Sequence, residues 1–203
     1  MQAVATSNIE GLIDVFYIAW KPDNSQIVIT GATPFPLGNE AREYPKAFVL
    51  NFPNMEVVGV LHDISSAVGA VATWNRDSSQ IITMGFDFGR IVWDSTTFTR
   101  ISNDFLGGTA AHLEWTEDRS MVAIASSAAS LVVNSDDFSP FFVSTRLESE
   151  PLIIVLSVAF NPTTQRLISG DGAGNIRIWD TESGTLVETL IATDNPTSVF
   201  QGG

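Results

Sequence analysis

The chain contains no cysteine. Disulfides and thiolate metal sites are therefore excluded, and the redox compartment stays open. Histidine is nearly absent: His62 and His112 stand far apart with no ligand spacing, so they read as structural or surface groups and not as a metal site. Lysine is just as scarce. Lys21 and Lys46 are the two, and 10 basic residues face 23 acidic ones, for a net charge of −13 over 203 residues. Such a surface repels phosphate backbones and anionic lipid, so neither nucleic acid nor membrane is expected as a partner. The acidity is spread without a block or tail, which fits a solvated, soluble surface. No run approaches 18 apolar residues, so no spanning helix is expected. The opening MQAVATSNIEGLIDVF lacks the basic and apolar regions of a secretory leader, and a cytoplasmic location is the default expectation.

Catalytic signatures are missing too. There is no His-Glu-x-x-His and no Gly-x-Ser-x-Gly elbow. Gly170-Asp171-Gly172-Ala173-Gly174-Asn175 is glycine-rich, but no phosphate-binding lysine follows and the run leads into a strand. It reads as a hairpin turn, not a phosphate cradle. Asp136-Asp137 lacks the spaced carboxylates of a calcium loop and reads as a solvated turn. No catalytic residue, cofactor site or metal site is assigned from the sequence.

What is present is a core-forming composition with a repeat. Hydrophobic residues make up 44% of the chain and charged residues 16%, which disfavours disorder. Four segments share one layout: IAWKPDNSQIVIT, VATWNRDSSQIIT, LEWTEDRSMVAIA and VAFNPTTQRLIS. Each is a strand-like run closed by an aromatic anchor, then a polar turn, then a second apolar run. The anchors are Trp20, Trp74, Trp115 and Phe160, and the second runs begin seven residues on, at Ile27, Ile81, Val122 and Leu167. Trp20 to Trp74 is 54 residues, Trp74 to Trp115 is 41 and Trp115 to Phe160 is 45. A period in the low forties with about four short strands per unit predicts an all-β propeller of four-stranded antiparallel blades. Trp93 and Trp179 lie 19 residues after Trp74 and Phe160, so all five tryptophans fall on repeat positions.

The expected organisation is an N-terminal strand or tail at 1–11, blades at 12–61, 64–105, 107–147 and 151–191, and a C-terminal tail at 192–203. The first blade carries an insertion, Ala32 to about Lys46, whose three prolines argue against a strand. The third is degenerate: Asn134 stands where the third-strand tryptophan is expected.

Ser157 to Asp180 ends on Trp-Asp, and IRIWDTESGTLVETL follows the pattern of third strand, Trp-Asp, turn and fourth strand. FGRIVWDSTTF matches in part. These residues resemble the WD40 repeat family over about 12–191. The family's Gly-His before the first strand is missing from blades one and four, with Leu61-His62 a remnant in blade two. The resemblance implies a buried hydrogen-bond chain of His, Ser/Thr, Asp and Trp in each blade. Here that carries over to His62, Thr83, Asp87 and Trp93 in blade two, and to Ser169 and Trp179 in blade four. Ala173 occupies the Asp position of blade four, with Asp171 as a substitute from the same turn. The chain satisfies a buried indole N–H, so the role is structural.

The resemblance also implies rings of seven or eight blades. About four blades therefore leave an incomplete or open propeller: part of a longer one, a homodimer, or a strained closed ring. The expected function is a non-catalytic protein–protein interaction scaffold using the loop face. Phe35, Leu37, Arg42 and Tyr44 in the insertion form the candidate partner-binding loop, since they combine apolar, aromatic and cationic groups. The alternatives are the propeller of a larger enzyme or sensor, or a small-ligand site in a central channel. The apolar strand starts Val71, Val155 and Leu156 weigh against the channel site.

Overall fold

A computed structural model of the chain describes Ile9, Leu12 and residues 14–32, 46–61, 70–85, 89–105, 110–126, 130–144, 154–161 and 163–191. The described residues form sixteen strands in four antiparallel sheets. The first sheet holds β1 (Asp14–Trp20), β2 (Gln26–Ala32), β3 (Lys46–Asn51) and β4 (Val57–Leu61). The second holds β5 (Ala70–Trp74), β6 (Gln80–Gly85), β7 (Gly89–Asp94) and β8 (Arg100–Phe105). The third holds β9 (Ala110–Trp115), β10 (Met121–Ser126), β11 (Ser130–Asn134) and β12 (Pro140–Val143). The fourth holds β13 (Val155–Asn161), β14 (Arg166–Asp171), β15 (Asn175–Asp180) and β16 (Leu186–Ile191). Within each sheet the strands lie in chain order, as short hairpin connections dictate.

The strand period of two sends alternate side chains to opposite faces. In every sheet one set faces back toward the preceding sheet, and the next set faces forward. Val28, Ala47, Val49 and Leu61 face forward from the first sheet onto Ala72, Trp74, Ile81, Ile91 and Trp93 of the second. Ile82, Met84 and Val92 of the second meet Val122, Ile124, Leu131, Val133 and Phe138 of the third. Ala123, Ala125, Val132 and Phe142 of the third meet Val158, Leu167 and Trp179 of the fourth. The sheets meet mainly through their first strands: β1 and β2 on β5, β5 on β9, β9 and β10 on β13.

Residue pairing aligns the four sheets position by position. Ile27 pairs with Leu50, Ile81 with Trp93, Val122 with Val133 and Leu167 with Trp179. Val133, not Asn134, therefore holds the third-strand tryptophan position in the third sheet. Asn134 pairs with Met121, as Asp94 pairs with Gln80 and Asp180 with Arg166. It stands at the aspartate of Trp-Asp. The span from Val122 to Val133 is one residue shorter than that from Ile81 to Trp93. A count of 19 through that shorter link overshoots by one.

Five residues after each of these third-strand positions the backbone turns left-handed: Met55 (φ 58), Phe98 (φ 56), Phe138 (φ 55) and Gly184 (φ 74). A register slip sits beside each turn. This is the hairpin in which a turn ends in a left-handed residue and a bulge. Glycine is the relaxed occupant, and the fourth sheet has it. Phenylalanine there is strained, and the packing explains why two sheets keep it. Phe138 is fully buried against the second sheet. Phe98 lies on Gly59 of the first sheet, where an added Cβ would sit 2.4 Å from the ring.

Gly59→Ala is therefore expected to destabilise the protein by about 1–3 kcal/mol through this clash. Phe98→Ala removes the ring, so the double variant should lose less than the sum of the two singles. Urea titration of the four proteins measures the coupling, and strict additivity would refute the contact.

Candidate interaction surfaces

The aromatic anchors at the ends of the first strands organise the junctions between sheets. The Trp115 indole Nε1 donates across to Thr73 Oγ1 of the second sheet at 2.8 Å. Thr73 is the residue just before the anchor Trp74. The same two positions at the other junctions lack one partner each. Trp74 Nε1 is buried with no acceptor, and Ala19 stands where Thr73 would. Glu114 Oε2 is buried with no donor, and Phe160 stands where the indole would. Arg119 lies over the Trp115 ring, 5.6 Å from its centroid.

Within the sheets the third-strand tryptophans have acceptors. Trp93 Nε1 donates to Thr83 Oγ1 at 2.8 Å, and Trp179 Nε1 donates to Ser169 Oγ at 3.3 Å. Asp171 does not join the Ser169 bond. It accepts from the Ala173 and Asn175 backbone N–H groups at 2.9 and 3.0 Å, and it pairs with the Arg177 guanidinium. Both partners are largely buried. Burial pushes the Asp171 carboxyl up, but the Asn175 donors, Arg177 and the Ala173 N–H outweigh it and leave the pKa lowered. The glycine-rich run of the sequence is thus the turn that holds this ion pair.

Six of the other hairpin turns are tied by their own aspartates, and the β13–β14 turn by Asn161. Asp23, Asp77, Asp118 and Asp137 each accept the backbone N–H two residues on, from Ser25, Ser79, Ser120 and Ser139. Asp94 and Asp180 accept two N–H groups each, from the residues two and three places on. These are the local bonds that make Asp a turn residue. The Ser120 N–H, with the Thr116 and Ser120 hydroxyls, holds Asp118 at about 2, and the Ser183 N–H and hydroxyl with Arg166 hold Asp180 at about 2.

On the turn face, between the first and second sheets, lies a groove of about 810 Å³. Its lining includes Lys21 and Asp23 from the β1–β2 turn, Arg76 and Asp77 from the β5–β6 turn, and Val58 and Phe98 on the floor. Lys21 is paired with Asp23 at 3.3 Å. The sequence does not show this groove as a unit, because its residues come from four separate hairpins. The legible sign was a cation one or two residues after the anchor, present after Trp20 and Trp74 and missing at those places after Trp115 and Phe160.

At the inner end Tyr17 reaches past the second sheet and donates its hydroxyl to the Leu113 carbonyl of the third, at 3.0 Å. Burial pushes its pKa up. Of the inner strand starts, Val71 is buried between the second and third sheets, Val155 packs at the last junction, and Leu156 is exposed. His62, Asp87 and the loop residues Phe35, Leu37, Arg42 and Tyr44 lie outside the described residues. Among the described residues no group of three His, Cys, Asp or Glu is placed to hold a metal ion.

Four-stranded antiparallel sheets stacked face to face in chain order define a β-propeller of about four blades. Residues 147–180 match the WD40 family model, described as WD domain, G-beta repeat. The match takes in β13, β14 and β15, and the other three sheets repeat their four-stranded layout, consistent with WD40-type blades. No curated protein matches the chain.

Ala19→Thr places an acceptor opposite the orphaned Trp74 N–H. It is expected to raise the unfolding free energy by about 1 kcal/mol, read as a higher urea midpoint with unchanged slope. No gain would show that Trp74 is not waiting for that partner. Acid should act through the turns. The folded pKa values of Asp118, Asp171 and Asp180 lie below 3.8, so the stability they contribute is present above that value and is lost as pH falls toward about 2. Arg177→Met with Asp171→Leu should shrink that acid loss in pH-dependent thermal melts. An identical profile would place the loss elsewhere.

Proposed function

We propose that the chain is a non-catalytic interaction scaffold holding a protein partner on the loop face of its blades. WD40 repeats generally mediate protein–protein contacts, and a fold alone does not name an activity. The observation that carries the reading is where the acidic groups go. Asp23, Asp77, Asp94, Asp118, Asp137 and Asp180 are each committed to the backbone of their own hairpin, and Asp171 is committed to Arg177. Tyr17 occupies the inner end, where a channel ligand would need convergent polar groups. Loops carried on such a rigid frame are free to vary in chemistry.

Phe35, Leu37, Arg42 and Tyr44 supply the anchor chemistry for this face. The test is cross-linking mass spectrometry on the full chain. Phe35→Ala with Arg42→Ala and Tyr44→Ala should cut recovery of the specific partner at least tenfold, while Lys21→Ala with Arg76→Ala in the groove of the turn face should leave it unchanged. Full recovery with the loop variant overturns the assignment to this face.

A further inference from the structure

Among the described residues, nothing packs on the forward face of the fourth blade. Ile168 pairs with Ile178, just as Ile82 pairs with Val92 and Ala123 with Val132. The residues of those two other pairs are at most 6% exposed under the next blade, whereas Ile168 is 42% exposed. Ile176 and Leu190, paired on the same face, are 44% and 46% exposed. A Cβ added at Gly170 on this face would touch nothing. At the other end of the row, the backward face of the first blade is half covered. Ile9, Leu12 and Met55 pack over Ile27, Ile29, Phe48 and Leu50. Its inner strand stays bare, with Phe16 at 41%, Ile18 at 53% and Trp20 at 44% exposed.

The two bare surfaces are the two halves of one junction. Every internal junction sets the forward face of one blade on the backward face of the next, chiefly through first strands. The surface left bare on the first blade is the part such a junction uses. Trp20 stands at the position of Trp115, held edge-on by Phe52 at 5.0 Å. Ala159, exposed on the fourth blade, stands at the position of Thr73. From this complementarity we infer that two copies of the chain associate head to tail, the fourth blade of one on the first blade of the other. Such a contact is heterologous, with different patches on the two partners. The inference rests on the fold and is independent of the partner proposed for the loop face.

Light scattering on the full chain, with mass read against the 21.9 kDa of one copy, tests it. The wild type should associate at tens of micromolar. Ile168→Glu with Ile176→Glu, on the fourth blade, should give monomers. So should Ile18→Glu with Phe16→Glu, on the first. All four positions are exposed, so circular dichroism should be unchanged. Each variant keeps one intact half, so mixing the two should restore a dimer and nothing larger. Ala159→Thr gives Trp20 the acceptor that Thr73 gives Trp115, and should lower the dissociation constant about fivefold. A monomeric wild type overturns the inference. So does association that survives either face variant, as a junction of one face with itself would, or a mixture that stays monomeric.

Discussion

A four-stranded sheet of this kind has two apolar faces and no way to cover either one from within. The fold depends on that constraint. Each blade becomes stable only when its forward alternation meets the backward alternation of a neighbour, so the structural unit is the junction and not the blade. Most of the largest buried side chains bear this out: Trp74, Phe138, Leu61, Leu131 and Leu167 sit in junctions, while Leu50 lies on the backward face of the first blade. Within a blade the hairpins set register. Between blades, packing is joined by hydrogen bonds: the Trp115 indole to Thr73 Oγ1, the Arg76 N–H to Ser135 Oγ and Arg90 to the Phe138 carbonyl all tie the second blade to the third.

Alignment of the blades by residue pairing accounts for polar groups that otherwise look like faults. Trp74 and Glu114 are each half of a bond that is complete between Trp115 and Thr73. At each of these junctions one position of the pair is occupied and the other holds a residue that cannot complete the bond. Buried polar atoms without partners invite a search for ligands. Here the comparison of blades supplies the explanation first.

The architecture was legible because its signal is one of type and spacing. Five tryptophans, a seven-residue turn interval and a period in the low forties all describe local hairpins. The register of the third blade was misread by one, since a link shorter by a single residue leaves no mark on composition. Thr83 and Ser169 could be placed by offset from their tryptophans, because both members lie on adjacent strands of one sheet. The cross-blade partners could not, because Thr73 and Trp115 are 42 residues apart and nothing local links them. The groove of Lys21, Arg76 and Phe98 was hidden for the same reason.

In a simple row of blades, the gain or loss of order at one place is felt only next door. The Tyr17 hydroxyl bond to Leu113 departs from that scheme, because it ties the first blade to the third. The second blade is thereby enclosed by a strap as well as by its two junctions. A change in the first blade is felt at the third without passing through the second.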